Sequence, residues 1–217
     1  MSYNNIEAVV SEDLYNKLNR GSREYDGLVT DIYYFIINGG KVDSIQFDNL
    51  MNMALDAYYN YATLKDNVSN TVVIPAVRTA YDIDPSSIIT NNWNIEFDGS
   101  KICKITDINV VTETEHIIHE SECEECWIND IVNMNTRIVI LNEVFAKINS
   151  TVVTYAPGKQ SISDLRNLRT DLMELEGYNK ARLMDEKISK LIEGHDPAKC
   201  TWKMEPITKR FYITERM

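Results

Sequence analysis

Four side chains that can bind a soft metal ion lie within eleven residues: His116, His119, Cys123 and Cys126, in the run His-Ile-Ile-His-Glu-Ser-Glu-Cys-Glu-Glu-Cys. Imidazole and thiolate are the ligands zinc prefers, and Cys-x2-Cys is a common chelating spacing. On one unbroken helix all four would share a face, but His116 and Cys126 would then stand about 15 Å apart at a rise of 1.5 Å per residue. A shared ion needs a break near Glu120-Ser121, where Ser121 can cap a new helix. Without that break, the thiols and imidazoles line a packed or subunit-facing surface. Six glutamates between 113 and 125 raise the local attraction for cations, and also read as a solvated helix face.

Other chemical templates fail. The chain has no Gly-x-x-x-x-Gly-Lys, no Gly-x-Gly-x-x-Gly and no Gly-x-Ser-x-Gly, so no phosphate-cradling loop or nucleophile elbow is recognisable. Glu113-x-x-His116 matches one half of a di-iron motif, but His195, the only histidine outside the 116–119 pair, lacks the second half. His116-x-x-His119-Glu120 puts the acid outside the two histidines, unlike the His-Glu-x-x-His arrangement of zinc hydrolases. The expectation is a protein without catalytic residues and without a required cofactor, zinc being the one exception.

Charge narrows the partners. Over 217 residues, 22 Lys+Arg stand against 33 Asp+Glu, a net charge of -11; residues 161–217 hold 11 and 10 of these, so the deficit lies in residues 1–160. Such a field repels phosphate backbones, and sequence-specific nucleic-acid binding is disfavoured. Residues 1–20 lack the basic and apolar regions of a signal peptide, and no window approaches 18 uninterrupted apolar residues. The expected chain is not secreted and not membrane-bound, and its four cysteines are reduced thiols or metal ligands.

The elements that must position these groups are mostly helical. Ser11 caps a first short helix containing Leu14 and Leu18, and Arg20-Gly21-Ser22 separates it from a second that carries Leu28, Ile32, Phe35 and Ile36. Asn38-Gly39-Gly40 stops it, and Ser44 caps the next helix, whose Tyr58, Tyr59 and Tyr61 encircle much of its end and must face a neighbouring element or another chain. Residues 66–91 read as a short helix or extended piece, with Val72-Val73-Ile74 ending at Pro75, and then an irregular connection through the Asp84-Pro85-Ser86 turn; beyond it Trp93, Ile95 and Phe97 alternate with polar residues, Asp98-Gly99 turns, and 101–105 returns as a β-hairpin. Between Thr112 and Asn149 there is neither Gly nor Pro, which predicts one long helix or two nearly continuous ones, opened by a Thr112/Glu115 capping box. Trp127, Ile131, Met134, Ile138, Leu141, Phe145 and Ile148 recur there at spacings of 4, 3, 4, 3, 4 and 3. That is a seam for another helix. After Pro157-Gly158, a helix capped by Ser161 or Ser163 continues the rhythm through Leu165, Leu168, Leu172 and Leu175 and forms an antiparallel hairpin with the first.

The fold expected is α+β, predominantly α: a helical bundle with a long antiparallel helical hairpin and a small antiparallel sheet. Its parts are an N-terminal helical segment (1–90), a β-hairpin (91–110), the helical hairpin (111–196) and an extended C-terminal arm (197–217). The arm carries Trp202 and Phe211 among alternating polar residues, and either extends the small sheet or reaches a neighbouring subunit. Tyr58, Tyr59, Tyr61, Trp127, Ile131, Ile138, Trp202 and Phe211 are the expected oligomer or partner contacts.

The stretch Val42–Tyr61, VDSIQFDNLMNMALDAYYNY, resembles the early helix of tailed-phage neck and head–tail connector proteins, a capped amphipathic helix with an Ala-Leu core and a Tyr-rich end. About 20 residues carry the likeness, and the helical hairpin is a departure from it. The resemblance implies a ring-forming structural subunit of a virion, found in the virion or the host cytoplasm, with homo-oligomeric and other structural partners. The alternative is a small zinc-dependent protein-binding regulator built on the His116/His119/Cys123/Cys126 cluster.

Overall fold

The computed structural model describes residues 4–85, 87–111, 115–122, 126–150, 158–205 and 210–216. In chain order the elements are β1 (Ile6–Val9), α1 (Glu12–Ile37), α2 (Ile45–Val68), α3 (Ile74–Tyr81), β2 (Ile88–Ile95), β3 (Ile102–Val111), β4 (Glu115–Glu122), α4 (Cys126–Ser150), α5 (Lys159–Leu183), the short α6 (Ser189–Leu191), β5 (Cys200–Glu205) and β6 (Arg210–Arg216). The class is α+β with helix dominant, and α4 and α5 form the long helical pair.

α1 is one helix where two were expected. The side chain of Ser11 accepts from the backbone N–H of Leu14 at 3.4 Å and caps it. Gly21 does not break it, because a Cβ there would sit 3.2 Å from Leu64 Cδ1. The glycine lets α1 and α2 approach closely. Ser44 caps α2 as expected, accepting from the Phe47 N–H at 3.2 Å. In the 66–91 segment the expected short piece is a helix: α2 runs through a wide turn at Ser69–Val73 into α3, with the Ile74 N–H bonded to the Ser69 carbonyl. Pro75 has no N–H to offer the preceding turn and its ring crowds it, so the helix widens there by one residue.

Three apolar clusters follow. The largest joins α1, α2, α4 and α5 through Val29, Ile32, Ile36, Met51, Ile140, Leu141, Val144 and Leu165. A second lies under the antiparallel sheet β1-β3-β2 and includes Leu18, Val73, Val77, Ile105 and Ile108. The predicted hairpin is β2–β3, with Gly99 at φ 91° in its turn, and β1 adds a third strand that the sequence pattern did not announce. The third cluster, with Ile131, Met134, Leu183, Ile188, Phe211 and Ile213, lies beneath a separate sheet of order β4-β6-β5.

That second sheet overturns two expectations. Residues 115–122 are a strand and not the start of the long helix, and Glu115 opens it where it was expected in a capping box; Thr112 lies outside the described residues. The C-terminal segment neither extends the first sheet nor stands out as an arm, since β6 pairs on one side with β4 and on the other with β5. The helical seam is satisfied within the chain: Ile131 and Leu141 are fully buried, Met134, Ile138 and Ile148 nearly so, while Leu175 at the far end of α5 remains 49% exposed.

α5 starts at Lys159, so Ser161 is a buried residue of its first turn and not its cap. Gly158, just before it, is buried against the end of α1, where a Cβ would lie 2.6 Å from the Ile37 carbonyl oxygen and 2.9 Å from Ile37 Cα. Backbone cannot rotate away as a side chain can. Gly158→Ala is therefore expected to lower stability by about 1–3 kcal/mol, the usual range for overpacking, read from the midpoint shift in urea unfolding.

Candidate functional site

Of the predicted metal quartet, the structure describes the two histidines and the backbone of Cys126. His116 and His119 lie on β4, where an extended backbone rises about 3.3 Å per residue, so the strand alone spreads positions 116 and 122 by roughly 20 Å. Cys126 opens α4 beyond the far end of that strand, and Cys123 falls outside the described residues. His119 instead packs edge-on against Phe211, with ring centroids 6.3 Å apart. Strand pairing with β6 gives the 115–122 segment its conformation, overriding the helical reading.

The same pairing gives His116 a different set of neighbours. Its partner on β6 is Glu215, and the partner of Glu215 on β5 is Cys200, so one transverse row of the sheet reads His116–Glu215–Cys200. Directly opposed residues in an antiparallel sheet project from the same face. A register irregularity between Ile117 and His119 shifts the next residues, and the following row reads His119–Ile213–Trp202. Ile213 is fully buried, so this face is the one turned toward the third cluster, with its His116 end opening to solvent.

A fourth residue joins from the connection after α6. Gly194 takes φ 93°, a left-handed conformation that glycine adopts without strain, and the His195 N–H bonds back to the Ile192 carbonyl at 2.9 Å. The His195 Nδ1 then lies 2.7 Å from Glu215 Oε2. Asp196 Oδ1 accepts from the Ala198 N–H at 3.0 Å, and the Lys199 N–H bonds to the Asp196 carbonyl at 2.9 Å, a tight turn that delivers Cys200 to the sheet. The hydrogen bond from His195 holds the Glu215 carboxyl below the usual glutamate range. Cys200, half-buried, is pushed above the usual thiol range by burial and then by the nearby charges of Glu215 and Asp196. Cys103, by contrast, is a core thiol on β3, pushed up to about 11 by burial alone.

His195, Cys200 and Glu215 carry no local motif. The Asp196-Pro197 turn between His195 and Cys200 is visible in the sequence, but their meeting with His116 depends on the register of β6. As they stand, no three His, Cys, Asp or Glu side chains among the described residues are gathered into a group that could hold a metal ion.

The expected contact residues are largely used inside the molecule. Ile131 and Phe211 are buried and Ile138 is nearly so, which places these three in the chain's own cores, while Trp202 is partly buried against the third cluster. Tyr58 and Tyr61 face Tyr25 of α1, at 5.5 and 6.4 Å between ring centroids. The Tyr59 hydroxyl donates to Asn133 Oδ1 of α4 at 2.9 Å. The tyrosines thus resolve to packing on neighbouring helices of the same chain. Trp127 sits in the first turn of α4, its side chain outside the described residues.

A second titratable group lies beside the tyrosines. The Tyr25 hydroxyl is buried near the Glu143 carboxylate without a well-formed hydrogen bond, and burial followed by the Glu143 charge raises both Tyr25 and Tyr58. Glu143 is itself raised, first by desolvation and then by Asp26, with Tyr25 and Lys147 opposing.

The grooves among the described residues are open to solvent. One of about 740 Å³ runs between the α1–α2 connection and α5, with Lys41, Asp43, Asp164 and Asp171 on its walls. No helix among the described residues is long and apolar enough to cross a membrane. No family model, curated protein or solved structure matches the chain.

Because the folded state holds the Glu143 proton more tightly than the unfolded chain does, its contribution to stability is present at low pH and lost as pH rises above the ordinary glutamate range near about 4.3. Glu143→Gln is expected to raise the melting temperature modestly at pH 7. The gain should vanish toward pH 4, as followed by circular dichroism melts across that range.

Proposed function

We propose that the chain is a non-enzymatic structural subunit that assembles with further copies of itself. The observation that carries this reading is the set of large apolar side chains left outside its three cores. On α2, Ile45 is 80% and Met53 55% exposed, and Tyr34 of α1 is also exposed. On the distal half of α5, Leu175 and Tyr178 stand one turn apart, and Tyr178 is 64% exposed. Isolated exposed residues of this kind are ordinary, but two sets on different helices match the requirement of a head-to-tail contact, in which one surface of a copy meets a different surface of the next. Repetition of such a contact closes into a ring when the rotation allows it.

The likeness of residues 42–61 to the early helix of phage connectors supports a neck or connector role in a virion, and the acidic balance would keep DNA from adhering to a passage lined by such subunits. Under this reading the interaction surface is the helical body, and the C-terminal strands serve the fold.

The test is the mass of the full chain in solution at micromolar concentration, by light scattering or native mass spectrometry. The expected result is an oligomer larger than a dimer, reduced to the monomer mass by Leu175→Asp combined with Tyr178→Asp, with helicity unchanged because both side chains are exposed. A wild-type chain that stays monomeric to about 100 μM, or an oligomer indifferent to these substitutions and to Ile45→Asp with Met53→Asp, is incompatible with the assembly surfaces named here; affinities weaker than that approach those of transient encounters.

A further inference from the structure

We infer that the outer face of α1 is a docking surface for a second copy of this chain, on which two α1 helices pack antiparallel about a two-fold axis through Gly27. The contact does not depend on the assembly reading, whose tested side chains, Ile45, Met53, Leu175 and Tyr178, lie on α2 and α5.

Gly27 lies well inside the 26-residue α1, it is exposed, and a Cβ there would meet nothing within 4 Å. Glycine inside a helix is less favourable than alanine, and at Gly21 that cost is offset by the close approach of Leu64. No neighbour among the described residues plays this part at Gly27. A second backbone arriving from outside would.

The side chains around it are self-complementary. Asn16, Arg20, Arg23, Gly27, Asp31 and Tyr34 follow at spacings of 4, 3, 4, 4 and 3, so they share one face of α1, away from the buried Leu18, Val29 and Ile36. In an isologous contact each residue meets the one equally far from the axis on the other copy. Arg23 stands four residues before Gly27 and Asp31 four after, so the contact sets a guanidinium against a carboxylate twice over. Arg20 and Tyr34, seven before and seven after, set a second guanidinium against a phenol that is 54% exposed, a cation–π pairing. Asn16 and Asn38, the residue that closes α1, match at eleven. Glu24, on the edge of the face, falls opposite Thr30.

Those charges are available. Lys17 with Asp13 and Lys147 with Asp26 are the described ion pairs of the same helix between 13 and 37, and none of the described pairs uses the exposed Arg20, Arg23 or Asp31. Parallel pairing in register would set Arg23 against Arg23 and Asp31 against Asp31, so the charges select the antiparallel arrangement. Shape agrees with charge: a recess of about 370 Å³ lies beside Asn16, Arg20 and Arg23 and one of about 550 Å³ beside Asp31, Tyr34 and Asn38, and the two-fold sets each over the opposite one of the second copy. One helix face with two ion pairs belongs to the small, transient class of interface, so isolated copies pair at roughly 0.3 mM. Under the assembly reading, copies already held in a ring would present this face many times, and the same two-fold would join two rings back to back.

The test is sedimentation of the full chain carrying Leu175→Asp and Tyr178→Asp, which removes the head-to-tail surface, from about 10 μM to about 1 mM at roughly physiological salt. The weight-average mass should rise from the monomer toward the dimer over that range. Arg23→Asp or Asp31→Arg added to this background should each weaken pairing at least about tenfold, with helicity unchanged because both side chains are exposed. Mixed in equal amounts, these two variants should pair with one another to within about threefold of the parent, since each supplies the charge that the other's reversed position needs. Gly27→Gln should raise the urea midpoint of the monomer at about 10 μM, because glutamine is the better helix former, and still weaken pairing about tenfold. A mass that stays monomeric at about 1 mM, pairing indifferent to either charge reversal, a mixture that fails to pair, or Gly27→Gln pairing as strongly as the parent would each overturn the contact. The head-to-tail surface is absent throughout, so these outcomes leave the assembly reading to its own test.

Discussion

The fold depends on the apolar flank of α4. Its C-terminal half supplies Ile140, Leu141, Val144 and Ile148 to the cluster shared with α1, α2 and α5, and its N-terminal half supplies Ile131 and Met134 to the cluster beneath the second sheet. Burying each such side chain contributes roughly 1.5–3 kcal/mol before ordering costs, so six on one helix outweigh any polar interaction in the chain. The exposed ion pairs, such as Lys147 with Asp26 at 2.7 Å, fine-tune the approach of the helices and contribute little beyond that. Because one rigid helix serves two cores, the position of the second sheet is coupled to the packing of the bundle.

The row His116–Glu215–Cys200 is a product of that coupling. Its alignment needs β6 in register with both neighbours, and β6 is held down by Phe211 and Ile213 against Ile131, Leu183 and Ile188. The polar groups at the end of the sheet are thus organised by apolar contacts in the next rows along β6. His195 adds a constraint from the other side, since its ring reaches Glu215 only because Gly194 reverses the chain after α6.

What could be read in the sequence is what is encoded locally. The Ser11 and Ser44 caps, the Asp98-Gly99 hairpin turn and the period of the α4 ridge are set by neighbours within a few residues, and these features appear in the structure. Gly21 was misleading because a glycine inside a helix signals a break or a close contact equally well, and only the presence of Leu64 across the interface decides. The segment 115–122 was misleading for a different reason. The lack of Gly and Pro is shared by helices and strands, and its strand character comes from a partner about a hundred residues away in sequence. For the same reason His195 offered no signal: its counterpart, Glu215, lies 20 residues further on across a sheet that the sequence pattern did not reveal.

The order β4-β6-β5 has a consequence for synthesis on the ribosome. β4 and β5 are not paired with each other; each bonds to the strand translated after both. Two edges with unmet hydrogen-bonding groups therefore emerge first and wait, and such edges recruit strands from other nascent chains. Chaperone demand in this protein should concentrate in the interval before β6 clears the exit tunnel, when the four-helix part can already be compact and the second sheet cannot exist.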